Sequence, residues 1–181
     1  LDVLNRFIKR YESRAAQAPK IVEAYARMGE IYDEQAKGAS DPTKAKKRAT
    51  ESYQAAVRQF DRARGSPAAS YFAAKSAFAL AEQDYARYAK LAITSKNSKV
   101  QMKELEAKST RLVAVENSFK GIITTYKAAE WSLASLYRVG ALYDNLQQTV
   151  LKSPCPDDVR RLAGEVAIGN SDEDVEMAVR G

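Results

Sequence analysis

The chain has 181 residues, of which 45% are hydrophobic and 29% are charged, and its formal net charge is +6. It contains no histidine and one cysteine, which excludes a histidine-based metal site, a Cys/His dyad and a zinc cluster of several cysteines. We therefore expect no catalytic residue, no metal, no cofactor and no small-molecule substrate. Only eight Gly and five Pro interrupt long runs rich in Ala, Lys, Glu and Leu, so the predicted fold is all-α.

We expect a secretory signal to be absent or already removed, because the chain begins at Leu1 and lacks a basic segment followed by an apolar run. No stretch approaches the roughly 18 consecutive apolar residues of a membrane-spanning helix. We expect a fragment of a longer protein, without a transmembrane segment, whose targeting information has been removed. Cys155 cannot form an internal disulfide. A buried position is the commonest for such a residue, and a free thiol or a contact to another chain are the alternatives.

The first half of the chain reads as a series of amphipathic helices. Apolar residues from Val3 to Tyr11 recur at helical spacing and predict a helix over residues 2–17. Three later helices begin with a proline in their first turn, where a missing amide proton costs nothing. Their predicted ranges are 19–37, ended by Gly38; 42–64, capped by Asp41 and ended by Gly65; and 67–83, capped by Ser66.

The second half is predicted to contain two long helices. The polar segment 94–98 predicts a loop, and the helix 99–126 that follows would be about 40 Å long at 1.5 Å per residue. A further helix over 129–152 ends at the Pro154-Cys155-Pro156 break. A short helix over 157–166 and an acidic tail over 171–180 complete the chain. The predicted division is a helical domain, 1–152, and a terminal segment, 153–181.

An internal repeat links two of the predicted helices. In each copy an apolar residue is followed, three positions on, by a second apolar residue with an adjacent glycine, and then by a tyrosine. The two copies are Tyr25, Met28, Gly29 and Tyr32, and Leu136, Val139, Gly140 and Tyr143. A glycine within a helix costs about 1 kcal/mol relative to alanine, so the repeat predicts that a neighbouring helix packs closely against each glycine.

This repeat resembles the tetratricopeptide repeat, in which one helix carries a bulky residue, then Leu-Gly, then Tyr, and the next carries a small residue and an aromatic. Ala49, Tyr53 and Ala56 match that second helix. A weaker middle unit has Tyr71, Ala74 and Phe78 in place, with Lys75 where the glycine would be. The resemblance implies an α-solenoid of antiparallel helix pairs, and the predicted helix 99–126 adds one expanded pair.

The resemblance also implies a binding groove lined by the first helix of each unit. The groove positions of interest are Glu23, Glu30, Asp33, Glu34, Phe72, Tyr137, Asp144 and Asn145. This lining is acidic and apolar, which favours a protein or peptide partner with an apolar segment that bears Lys or Arg. The alternative is that Glu30, Asp33 and Glu34 form a solvated helix face without a partner.

The functional expectation is a non-enzymatic scaffold for protein–protein interaction. The stretch from Ala129 to Gly140, followed by a helix that ends in Ser-Pro-Cys-Pro, is similar to large envelope-associated tetratricopeptide proteins of deltaproteobacteria, some of them in gliding-motility assemblies. That similarity implies a periplasmic or outer-membrane-associated location. A cytoplasmic adaptor or chaperone is the alternative.

Nucleic-acid binding is the third possibility, because residues 1–127 contain 24 Lys and Arg against 14 Asp and Glu. The densest basic run is Lys44 to Arg48. It is disfavoured as a nucleic-acid site, since the aromatic residues lie on apolar helix faces and are not interleaved with the charges.

Overall fold

The computed structural model describes residues 1–163, and these residues form helices joined by short connections, without a β-strand. The helices are α1 (Asp2–Tyr11), α2 (Ala18–Gly38), α3 (Thr43–Gln59), α4 (Pro67–Ala89), α5 (Ser98–Tyr126) and α6 (Ala129–Leu151). Two short 3-10 turns lie at Ala15–Gln17 and Phe60–Ala63. Residues 157–163 are also helical. The all-α prediction is confirmed for the described residues.

The helices pack in chain order. α1 contacts α2; α2 contacts both α3 and α4; α4 contacts both α5 and α6; and α3 and α5 each contact the helix that follows. This order places α2, α4 and α6 side by side, with α3 and α5 packed between successive members. One core cluster, which includes Val22, Ala56, Phe119 and Leu142, extends from α2 to α6, and a second joins α1, α2 and α3.

Local signals fix most helix starts. The Ser66 hydroxyl accepts a hydrogen bond from the Ala69 amide at the start of α4, and the Asp41 carboxylate accepts one from the Thr43 amide at the start of α3. Gly65 has a φ of +90°, which a residue with a β-carbon rarely adopts. The predicted caps by Asp41 and Ser66 are confirmed.

Three predicted boundaries are wrong. The helix predicted over 2–17 ends at Tyr11, because Arg62 supplies donors to the carbonyl oxygens of Glu12 and Ser13 at 2.8 and 3.2 Å and so replaces further helical bonds there. The third helix gives way to a 3-10 turn at Phe60. The fourth continues to Ala89, since the next turn buries Tyr88 against α6.

The terminal segment is described only as far as residue 163. Its helix begins at Asp157, the predicted first residue. The Asp157 amide donates a hydrogen bond to the Lys96 carbonyl at 2.9 Å. Cys155 is exposed, so its predicted burial is wrong. The rest of the predicted helix over 157–166, and the acidic tail over 171–180, lie outside the described residues.

The cap of α5 provides a direct test of this fold. The Asn97 side-chain oxygen accepts hydrogen bonds from the amides of Lys99 and Val100, at 3.1 and 3.2 Å. We expect Asn97→Ala to lower the free energy of unfolding by about 1 kcal/mol, and Asn97→Asp to preserve it, because an aspartate accepts the same bonds. Urea unfolding followed by circular dichroism measures both. Equal losses in the two variants would mean that the side-chain cap does not stabilise α5.

Candidate functional site

The candidate site is the surface along which α2, α4 and α6 lie side by side. Ion pairs join these helices across the surface. Glu30 of α2 pairs with Lys75 of α4, and Glu82 of α4 pairs with Arg138 of α6 at 2.6 Å. Both pairs are about 30% exposed, so water screens them less than it screens a fully exposed pair. The three helices α2, α4 and α6 therefore form one connected surface.

Arg27 lies at the centre of the α2 part of this surface. Its guanidinium approaches the carboxylates of Glu23 and Glu30 at 3.7 and 3.3 Å, and it also lies 5.0 Å from the centre of the Phe72 ring on α4. A cation over an aromatic face gains about 0.5–1 kcal/mol at an exposed site. The structure thus brings together Glu23, Glu30 and Phe72, three of the predicted site residues.

A cleft of about 460 Å³ lies between the end of α2 and the start of α3. Asp33 and Glu34 line it on one side, and Lys46 of α3 lines it on the other. The Asp33 carboxylate accepts a hydrogen bond of 2.8 Å from the Tyr53 hydroxyl. Burial is the larger cause, and this hydrogen bond the next, of a pKa of Tyr53 well above its usual range. Tyr53 is therefore a neutral donor at physiological pH and serves to hold the two helices together.

Glu34 is the most accessible acid of the cleft. Its side chain is 71% exposed and pairs with Lys37 at 2.6 Å. The hydrogen bond to Glu34 raises the pKa of Lys37. Exposed pairs of this kind contribute little to stability, so the Glu34 carboxylate is free to exchange its partner at small cost.

The three predicted site residues on α6 differ in their surroundings. Tyr137 is 73% exposed, and Asp144 is also exposed. Asn145 instead accepts a hydrogen bond of 2.8 Å from Lys108 of α5, at a position between the two helices. The structure therefore does not place Asn145 with Glu30 and Phe72. Its side chain already has a partner inside the protein.

Sequence reasoning identified the acids of this surface and missed its cations. Arg27, Lys75 and Arg138 pair with Glu30 or Glu82, so much of the expected negative charge is compensated within the chain. The spacing of Glu23, Arg27 and Glu30 within one helix could have revealed the local pairs. The partnership of Lys75 with Glu30 had no sequence signal, because it depends on how α4 lies against α2.

The first half of the repeat is confirmed at Gly29. A methyl group there would lie 2.8 Å from Cζ of Tyr53 and nearer still to two other ring carbons, so only glycine admits the ring. The second half is wrong at Gly140, where no atom of residues 1–163 lies within 4 Å of an added β-carbon. Leu136 and Tyr143, predicted on a packed face, are 56% and 49% exposed. Trp131, at the start of α6, packs against α4, with its ring 5.3 Å from that of Phe78.

Among residues 1–163, no group of three or more His, Cys, Asp or Glu side chains is arranged to hold a metal ion. Over the same range, no helix combines the length and the apolar character that crossing a membrane requires. No protein-family profile, curated protein or solved structure matches the chain. The surface formed by α2, α4 and α6 carries carboxylates, guanidinium groups and aromatic rings. Proteins recognise peptides through groups of these kinds.

Proposed function

We propose that the protein is a non-enzymatic scaffold of the tetratricopeptide type, which binds another protein along the surface formed by α2, α4 and α6. The packing order supports this proposal, because α2 and α4 each contact both of the two α-helices that follow them. The close contact of Gly29 with Tyr53 supports it as well, since small-residue packing between paired helices is typical of such repeats.

The observation that carries the proposal is a pair of accessible acids on α2 together with a half-buried aromatic ring on α4. The side chains of Glu23 and Glu34 are 42% and 71% exposed, and Phe72 lies on the neighbouring helix between α2 and α6. Glu30 and Asp33 are already bonded to Lys75 and Tyr53. Glu23 and Glu34 are paired only with exposed residues of their own helix, and such pairs exchange at small cost. A partner segment that places an apolar side chain near Phe72 and a Lys or Arg near each of these two acids would complement this surface.

The proposed assembly is a cell-envelope complex, periplasmic or associated with the outer membrane, and of the gliding-motility type. The motif from Ala129 to Gly140 supports this location through its similarity to envelope proteins. A cytoplasmic adaptor or chaperone for a protein substrate is the alternative. The envelope scaffold and the cytoplasmic adaptor would bind their partner through the same surface. They differ in the cell fraction that contains this partner.

Affinity capture with the whole chain as bait tests the site and the location together. We expect specific capture of a protein from the envelope fraction of the source organism, and loss of that protein, by tenfold or more, with Glu23→Lys/Glu34→Lys. Reversing two charges replaces attraction with repulsion, and each lost charge contact is worth about 1.5 kcal/mol or more when the interface excludes water. Quantitative mass spectrometry measures the captured protein.

The matched control is Glu51→Lys/Glu106→Lys, which changes the net charge equally at exposed positions on α3 and α5. Capture should be unchanged in this variant. Equal loss in both variants would indicate a nonspecific charge effect and contradict the proposed site. Capture from the cytosolic fraction alone would favour the adaptor, and recovery of nucleic acid with a steep salt dependence would contradict the protein scaffold.

A further inference from the structure

The outer face of α6 carries a long apolar stripe that no described part of the chain covers. Its residues lie on one side of the helix. They are Leu133, Leu136, Tyr137, Gly140, Tyr143, Val150 and Leu151, and Leu133 and Leu151 are 69% and 70% exposed. The exposed Gln147 interrupts the stripe between Tyr143 and Val150. A group of large exposed apolar residues on one helix face is typical of an interaction surface, whereas single exposed apolar residues are ordinary.

The repeat shows how such a face is covered elsewhere in the molecule. In register with the repeat, Leu133 and Tyr137 correspond to Val22 and Ala26 of α2, both of which are fully buried. Beside them, Gly29 accommodates the Tyr53 ring of α3. The α6 face thus repeats the pattern of a helix that packs against another helix through a glycine and an aromatic ring.

We propose that α6 pairs with α6 of a second copy of the chain, antiparallel and crossing at Gly140. The contact between α2 and α3 needs a glycine on one helix and an aromatic ring on the other. The stripe on α6 contains both, a glycine at position 140 and nearby tyrosines. Gly140 lies near the middle of the stripe, with Tyr137 and Tyr143 one turn to either side. In a two-fold pair centred on Gly140, Tyr137 lies opposite the partner's Tyr143, and every contact occurs twice.

The distribution of charge favours this face over the others for self-association. α6 has three charged residues, Glu130, Arg138 and Asp144, and Arg138 is engaged by Glu82. The remainder of the chain up to residue 127 has ten more Lys and Arg than Asp and Glu, since it contains 24 of the former and 14 of the latter. Two copies therefore repel each other through most of their surfaces and not through α6.

The first test is the oligomeric state of the whole chain, measured by sedimentation equilibrium under reducing conditions. We expect a monomer–dimer equilibrium, and at least about tenfold weaker dimerisation in Leu136→Asp and Tyr137→Asp, as is usual when a central interface residue is lost. Both positions are exposed in the monomer, so these variants should fold normally, which circular dichroism checks. The matched control is Val3→Asp on α1, a residue 70% exposed, which should leave the equilibrium unchanged.

A disulfide test locates the crossing point. In a Cys155→Ser background, Gly140→Cys should form a disulfide-linked dimer on mild oxidation, because residues at a close helix crossing come within the roughly 4.4–6.8 Å between α-carbons that a disulfide allows. Val3→Cys in the same background is the control and should remain largely unlinked. Equal linking at both positions would show random collision and contradict the proposal.

Three outcomes of the sedimentation experiment would overturn the proposal. A monomer up to about 1 mM, at the weak limit of specific dimerisation, would mean that the stripe has no second copy as its partner. A dimer unaffected by Leu136→Asp and Tyr137→Asp would place the interface elsewhere. Open-ended oligomers abolished by Val3→Asp would mean that α1 of another copy covers α6.

Discussion

Replacing Gly29 by alanine is expected to lower the free energy of unfolding by about 1–3 kcal/mol, the usual cost of adding a methyl group where a packed core has no room. The new methyl group would overlap the ring of Tyr53, which is itself buried and bonded to Asp33 at 2.8 Å. The ring can move only by opening the contact between α2 and α3 or by losing that hydrogen bond. The loss should appear even though alanine is the better helix former by about 1 kcal/mol.

Gly121→Ala is the matched control. Gly121 lies inside α5, and nothing lies within 4 Å of an added β-carbon, so this change should raise the free energy of unfolding by up to about 1 kcal/mol. Urea unfolding of the two variants and the wild type gives the comparison. Stabilisation by Gly29→Ala as well would contradict the close approach of Tyr53 to α2, and with it the helix pair on which the proposed scaffold depends.

Lys108→Ala is expected to have the largest effect, a loss of about 2–5 kcal/mol, because it removes a fully buried side chain and leaves a cavity. The Lys108 amine donates to the Leu91 carbonyl at 2.7 Å and to the Asn145 side chain at 2.8 Å, and it lies 4.4 Å from the centre of the Tyr88 ring. It therefore connects the α4–α5 loop, α5 and α6. Without it, the two acceptors lose their donor.

Lys108→Met separates packing from hydrogen bonding. Methionine retains most of the apolar stem and removes the amine, so we expect a smaller loss, about 1–3 kcal/mol, from the acceptors left without a donor. Urea unfolding measures both substitutions. Equal losses would mean that the amine contributes nothing beyond the volume of its stem.

The pH dependence of stability, compared between the wild type and Lys108→Met, gives a second measurement. Burial lowers the pKa of Lys108, so below the ordinary lysine pKa of about 10.4 the unfolded chain holds a proton that the folded protein begins to lose. The free energy of unfolding of the wild type should therefore rise with pH, relative to Lys108→Met, from the lowered folded pKa upward. A difference between the two proteins that stays constant as the pH rises would contradict a buried, readily neutralised amine.

Tyrosines limit the range of that experiment. Burial raises the pKa of Tyr88 to about 12, so at high pH the unfolded chain loses the Tyr88 proton first and the folded state is destabilised. Keeping the titration below about pH 9, one unit under the ordinary tyrosine pKa of about 10, separates the two effects. A neutral amine retains two N–H groups, so it can still donate to both Leu91 and Asn145.

Local sequence alone determined the helical class and most helix starts. Pro67 behind Ser66 and the positive φ of Gly65 act within one or two turns, so their effects could be predicted without knowing what the helices contact. The break after α6 is local in the same way. The early end of α1 was not predictable, since it depends on Arg62, about fifty residues further along the chain.

Only the tertiary structure decided which of two nearly identical motifs is packed. Gly29 and Gly140 share their sequence context, yet Gly29 lies under a tyrosine ring because α3 packs against α2, whereas none of residues 1–163 packs against Gly140. The burial of Lys108 and the pairing of Glu30 with Lys75 could not be predicted from the sequence either. Helical periodicity assigns a residue to a face, and the neighbour on that face is set by parts of the chain distant in sequence.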